Sequence, residues 1–288
     1  FDTDSDSEIS LAEAESITEI DIMGLMPQAT SLAGIEYFTN LEKLNCSFNR
    51  LTSLDLSNNA KLTDVNVSNN RLTTLDVSGC TAIVSFDASN NKLAEFDLSA
   101  AKGLTTLNVA TNKLGALNVS QNKQLVSLNC TGNDITSLDT TTILGLTELY
   151  CGKNNISLLN LTKNTALTTL QCFENNLTSL DLTKNTALTT LDCGENSLKS
   201  IYFGSEKITT LDCANNALTS INVALQTKLA EFDCSHNKLD QLDVTKNTKL
   251  ATLYCSYNDL AMLNISNNSM LTTLDCSNNA SLAKLWVK

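Results

Sequence analysis

The chain has 288 residues, a formal net charge of -12, ten cysteines, ten glycines and one proline. Such acidity excludes nucleic acid and anionic membrane surfaces as partners, because phosphate binding needs clustered lysine and arginine. No apolar run approaches the roughly 18 residues of a membrane-spanning helix, and the scarcity of proline and glycine leaves no stretch that reads as a linker.

At the start, residues 2–13 follow the calcium-loop pattern. Asp2, Asp4 and Asp6 take the first three side-chain ligand positions, the Glu8 carbonyl and Ser10 the next two, and Glu13 the closing bidentate one. Ser7 stands where glycine usually allows the sharp turn, which adds strain but removes no ligand. The entering helix is missing, and a solvated acidic tail is the alternative reading. The expectation is a bound Ca2+. The absence of methionine at Phe1 fits a trimmed export precursor.

Residues 11–17 favour one or two helical turns through their alanines and glutamates. Ile17, Ile20 and Ile22 then open a longer leading repeat that ends at Asn40 and covers the exposed edge of the first regular repeat.

From Leu41 onward a single pattern returns. Its leading residues are Leu41, Leu62, Ile83, Leu104, Leu125, Leu146, Leu167, Leu188, Ile208, Leu229, Leu250 and Leu271, each 21 residues from the last except the 20-residue step to Ile208. A fixed period of this length means stacked units that bury their apolar faces only against neighbours. Each period has two similar halves, Leu-x-x-Leu-x-Cys-x-x-Asn and Leu-x-x-Leu-x-Val/Leu-x-x-Asn. The asparagine is present in all twelve first halves, from Asn49 to Asn279, but in the second halves Cys80, Ala101, Ile143 and Gln226 interrupt it and the deletion falls there. The parallel strand therefore belongs to the first half, where a short amide serves backbone groups that lose their ladder partners. The fold class is a leucine-rich-repeat solenoid, a mostly β horseshoe with twelve parallel strands on the concave face and a short helical cap. Its divisions are 1–16, 17–40 and 41–288, the last repeat partial; Leu282, Leu285 and Val287 make one more short strand beside Trp286.

Cysteine spacing rejects both disulfides and metal. Cys46, Cys130, Cys151, Cys172, Cys193, Cys213, Cys234, Cys255 and Cys276 all hold the sixth repeat position, which Val67, Ala88 and Val109 fill elsewhere. A site that accepts valine is an apolar core site. Neighbours on a parallel sheet lie about 4.8 Å apart, wider than the roughly 3.8 Å between disulfide Cβ atoms. Cys80 falls outside this ladder.

Three segments carry a resemblance: Leu-Thr-Thr-Leu-Asp-Cys at 188–193, Asn-Asn-Leu-Thr-Ser-Leu-Asp-Leu-Thr-Lys-Asn-Thr at 175–186, and Ser-Leu-Ala-Gly-Ile-Glu-Tyr-Phe-Thr-Asn-Leu at 31–41. The chain resembles the internalins, specifically the 21-residue, cysteine-bearing class of bacterial surface leucine-rich repeats. The resemblance implies export, an extracellular or cell-surface location, and a recognition surface whose ligand differs between members.

On the main strand, repeat positions 2, 3, 5, 7 and 8 are expected to face away from the core and to form the concave face. Most are Thr, Ser, Asn or Asp, so departures carry the information. Glu148, Tyr150, Lys153, Gln171, Phe173 and Glu174 form one cluster, His236, Tyr254 and Tyr257 a second, and Phe48 stands alone. Exposed aromatics with polar neighbours suit binding. Asp192, Asp212 and Asp233 make a carboxylate row that could hold a second cation, although the Leu-Asp consensus also accounts for it. Cys234 and His236 are only two residues apart, but the repeat places the thiol in the core and the imidazole beyond the strand end, which argues against a catalytic dyad. The function read from the sequence is a non-enzymatic, monomeric recognition or adhesion module that binds a protein or glycan; the alternative is a spacer rod that projects other domains.

Overall fold

The computed structural model describes residue 3 and residues 8–287. Its contacts divide the chain into two compact units, Phe1–Gly145 and Leu146–Lys288.

The first unit opens with the helix Leu11–Ser16. Ser10 caps it: its hydroxyl accepts from the Glu13 N–H at 3.3 Å, while the Glu13 carboxylate accepts from the Ser10 N–H at 2.9 Å. Six parallel three-residue strands come next in sequence order: Glu19–Asp21, Lys43–Asn45, Asp64–Asn66, Ser85–Asp87, Thr106–Asn108 and Ser127–Asn129. The second unit repeats the arrangement with seven: Glu148–Tyr150, Thr169–Gln171, Thr190–Asp192, Thr210–Asp212, Glu231–Asp233, Thr252–Tyr254 and Thr273–Asp275. Each unit is a leucine-rich-repeat solenoid with almost no helix, as the repeat implied.

The expected count of twelve is therefore short by one strand. Glu19–Asp21 pairs in register with Lys43–Asn45, and its central Ile20 is buried. Ile17-x-x-Ile20-x-Ile22 has the spacing of the later repeats, so the leading segment forms a strand as well as covering an edge.

The second halves run back across the opposite side of each coil. Short parallel pairs form there in three places: Ser53–Asp55 with Thr74–Asp76, Leu180–Leu182 with Ile201–Phe203, and Met262–Asn264 with Lys284–Trp286. The expected final strand thus lies on the return side. Two of these pairs end in a close approach that only glycine permits. A Cβ on Gly79 would sit 1.8 Å from the Ser57 carbonyl oxygen, and one on Gly204 would sit 2.2 Å from that of Thr183.

Hydrogen bonding explains why one asparagine series is complete and the other is broken. Asn175 donates to the carbonyls of Cys151 (3.0 Å), Cys172 and Phe173 (both 3.2 Å), and its side-chain oxygen accepts from the Ile156 N–H at 2.9 Å. Both ends of the amide are used, and two of the bonds reach the preceding coil. In the second half Asn185 donates to Leu161 and Asn164, but its buried Oδ1 accepts nothing, as at Asn59, Asn122, Asn247 and Asn268. A buried acceptor without a donor is costly, so an apolar replacement there forfeits little. Cys80 belongs to this series: it is fully buried, and its thiol donates to the Leu56 carbonyl at 3.1 Å, the acceptor position that Asn122 reaches at Leu98.

The ladder cysteines from Cys46 to Cys255 are buried and every thiol is free, with Cys276 in the last coil half-exposed. Burial pushes Cys46, Cys130 and Cys255 up to about 12, and Cys172, Cys193, Cys213 and Cys234 well above their usual range.

Candidate recognition surface

Most main strands end in the same local structure. The position-5 carboxylate or amide accepts from the N–H two residues on, as Asn66 does from Ser68, Asp212 from Ala214 and Asp275 from Ser277. Asp and Asn favour such turns, and this is the physical reason the Leu-Asp consensus recurs. Tyr150, Gln171 and Tyr254 occupy the same position without a carboxylate or short amide to make that bond.

Strand geometry does not continue past this turn: position 7 departs from the expected outward orientation, while position 8 keeps it in a backbone conformation the strand does not have. Position 7 is buried between coils at Ser47, Ser68, Ser89, Ala214, Ser235 and Ser256. Position 8 is left-handed in all twelve repeats: eleven non-glycine residues have φ between 48° and 57°, and Gly132 is at 70°. Asn69, Asn90, Asn215, Asn278 and Gly132 suit that conformation; Phe48, Thr111, Lys153, Glu174, Glu195, His236 and Tyr257 do not. Threonines at position 2 also differ from a solvated background, since Thr168, Thr189 and Thr209 donate their hydroxyls to the preceding coil's carbonyl at 3.0, 3.0 and 3.2 Å.

In the second unit the first predicted cluster comes together around Gly152. Phe173 is a position-7 residue, too large for the space its counterparts fill. Its ring lies over Gly152 on the preceding coil, where a Cβ would be only 2.5 Å from the ring. Phe173 is therefore half-buried, held by packing, and is not the freely exposed ring expected. Lys153 reaches across, pairing with Glu174 at 3.0 Å and lying 5.9 Å from the Phe173 centroid. Glu148 and Tyr150 are half-buried on the adjoining strand, and burial, then the Glu148 charge, raises the Tyr150 phenol.

The second cluster is more open. Tyr254 lies in register between Asp233 and Asp275, and it and Tyr257 are 39% and 51% exposed. His236 stacks on Tyr257 with ring centroids 4.2 Å apart. Cys234 is buried while His236 is exposed, so the thiol and imidazole face different surroundings. In the first unit Phe48 is likewise exposed at its left-handed turn.

Between the two clusters Asp192, Asp212 and Asp233 stand in register on successive strands. Burial first, then Asp192, Asp233 and Glu195, pushes Asp212 up to about 6 against the hydrogen bond from Ala214; burial, with Glu195 and Glu174, also raises Asp192.

At the amino terminus, Asp2, Asp4 and Asp6 lie outside the described residues. Of the other proposed ligands, Glu8 is exposed, and Ser10 gives Glu13 both its N–H and its hydroxyl. The opposite Glu13 oxygen accepts from the N–H and hydroxyl of Thr3. These bonds hold the carboxyl down at about 2. Among the described residues no three His, Cys, Asp or Glu side chains gather as a metal cluster, and no helix is long and apolar enough to cross a membrane.

Stacked coils with these leucine, cysteine and asparagine ladders define a leucine-rich-repeat protein. Comparison with solved structures gives the kind. The functional domain of InlJ from Listeria monocytogenes, which includes a cysteine ladder, superposes with a TM-score of 0.79 at 37% identity over 94% of this chain. The chain spans 56% of that InlJ structure. A leucine-rich-repeat protein from Leptospira interrogans (TM-score 0.79, 21% identity, 96% of this chain and 86% of that one) and the internalin InlF from Listeria monocytogenes (0.64, 23%, 96% and 88%) share the fold. No protein-family model matches the chain, and no curated protein does. The chain is an internalin-like leucine-rich-repeat protein of the cysteine-ladder kind.

Proposed function

We propose that this chain is a non-catalytic recognition module of an exported or surface-held bacterial protein, and that the main-strand side of its second unit binds a protein or glycan. The observation that carries the reading is the His236–Tyr257 stack beside Tyr254. Large, rigid aromatic surface is exposed there at turn positions where asparagine or glycine costs less backbone energy, and side chains retained against local preference mark sites of use. Leucine-rich repeats serve protein interaction in many settings, one being a plant receptor ectodomain solved in complex with CASPARIAN STRIP INTEGRITY FACTOR 2, at 20% identity to this chain. The test is a binding screen of the purified chain against extracellular proteins and glycans, run in parallel with a Tyr254→Ala, Tyr257→Ala variant. Ligands retained by the native chain and lost by the variant support the proposal; a ligand set identical for both overturns it.

Calcium at the amino-terminal loop is a second part of the proposal. Asp2, Asp4, Asp6, the Glu8 carbonyl, Ser10 and Glu13 offer the all-oxygen set that a hard cation takes. An ion would draw Glu13 from the hydrogen bonds it makes to Thr3 and Ser10 and tie the loop to the helix. In a nearly one-dimensional array its stabilisation concentrates in the first coils. Chelator should therefore speed amide exchange over residues 17–56, and unchanged exchange would refute the site.

A further inference from the structure

On the return side of the first unit the leading segment, longer than a repeat, overhangs the neighbouring coils. Leu32 and Ile35, the latter opening the short 3-10 turn Ile35–Tyr37, form one wall of a groove of about 810 Å³. Its floor crosses four successive coils, from Ser53–Asp55 to Asn118. Along this floor Leu75 and Phe96 remain half-exposed at a position where Leu117, Leu138 and Leu159 are buried. Phe96 replaces the leucine or isoleucine of the other repeats here, and its ring centroid lies 5.4 Å from that of Phe86.

The rim is charged with one sign. Glu36, Asp55, Asp76, Glu95 and Asp97 are all exposed and all line the groove, and no lysine or arginine does. Each aspartate uses one oxygen on its own turn, Asp55 accepting from the Ser57 N–H at 2.9 Å and Asp76 and Asp97 from Ser78 and Ser99 at 2.8 Å. These bonds restrain the three aspartate side chains along the groove. The hydrogen bonds from Ser57 and Ser99 hold Asp55 and Asp97 below the usual carboxylate range, so these two are ionised at neutral pH.

We propose that this groove is a docking site for an extended, basic segment of a partner protein, its alternate apolar side chains on Leu75 and Phe96 and its lysines or arginines along the aspartate row. Charge complementarity selects the partner's sign, and the half-exposed floor selects a peptide over a bare cation. Neighbouring carboxylates are about 4.8 Å apart, and same-face residues of an extended peptide about 6.7 Å. Three basic residues therefore span the row. This site is independent of the one proposed on the second unit.

The probe is a fluorescein-labelled peptide, Lys-Leu-Lys-Leu-Lys, titrated with the whole chain at about 0.15 M salt and followed by anisotropy. The variant Asp76→Asn, Asp97→Asn keeps the turn acceptors, so folding is preserved. The control variant Asp181→Asn, Asp243→Asn removes the same charge from equivalent turns of the second unit. Saturable binding that weakens about tenfold in the first variant and less than about twofold in the second supports the groove. Equal losses in both, or no saturable binding to the native chain, overturn it.

Discussion

The imidazole of His236 lies on the phenol ring of Tyr257, centroids 4.2 Å apart and planes 13° from parallel. Both residues are left-handed, at φ 52° and 53°. They come from successive coils, so a strained turn repeated along the stack brings the two rings into a pair. Stacking of this kind contributes about 0.5–1.5 kcal/mol, comparable with what each non-glycine residue gives up to be left-handed.

Where no such contact compensates, relieving the strain should stabilise. Glu195 is left-handed at φ 52° and adds to the negative charge around Asp192 and Asp212. Glu195→Asn installs the residue already found at Asn215, one coil on. Urea denaturation should show a gain of about 1 kcal/mol. A loss would mean that the turn is not strained.

Asp212 gives a prediction in pH. Its carboxyl is pushed up to about 6 from an ordinary 3.8. The native state therefore binds a proton more tightly than the unfolded chain, so stability is lost as pH rises through that window and the whole cost is present above about pH 6. Asp212→Asn keeps the acceptor for Ala214 and removes the charge. After allowance for solvent screening it should stabilise by roughly 1 kcal/mol at pH 7 and by nothing measurable at pH 3.5. A gain independent of pH would contradict the electrostatic cause.

Two glycines of the same return side should behave oppositely. Gly79→Ala drives a methyl group into the Ser57 backbone and should cost about 3 kcal/mol, whereas at Gly103 the nearest atom would be 3.6 Å away and alanine should stay within about 0.5 kcal/mol of the native protein. Similar thermal midpoints for both variants would show that the coils do not approach as described.

Thiol chemistry should separate one cysteine from nine. Cys276 is half-exposed in the last coil while the rest are buried. A thiol reagent should modify Cys276 in the folded protein and all ten thiols after denaturation. Rapid modification of Cys172 or Cys193 in the folded state would mean that the ladder is open.

Much of the fold was legible in the sequence because its signals are periodic: the leucines and cysteines locate the core, and the complete asparagine series locates the main strand. What failed did so beyond the strand's three residues. Carrying the main strand on to positions 7 and 8 treats a turn as strand, so it cannot foresee that Ser235 is buried or that Tyr257 is left-handed. Phe173 shows the same limit, because its placement depends on Gly152 in another coil. The neighbouring of His236 and Tyr257 was legible, since it arises from the 21-residue period alone. The place of Cys80 in the second-half asparagine series was legible too, but its role was not, because its thiol donates to the Leu56 carbonyl of another coil.

Recognition by the exposed rings is tested most directly by Tyr257→Asn. Asn69, Asn90, Asn215 and Asn278 already occupy that turn position, so the variant should fold with unchanged or slightly higher stability. With a ligand from the screen, titration calorimetry should give a Kd weakened more than about fivefold, a loss above roughly 1 kcal/mol. Thr190→Ala, on the same strand face, should leave the Kd within about twofold. An unchanged Kd for a stable Tyr257→Asn protein would contradict the claim that the stacked pair is part of the recognition surface.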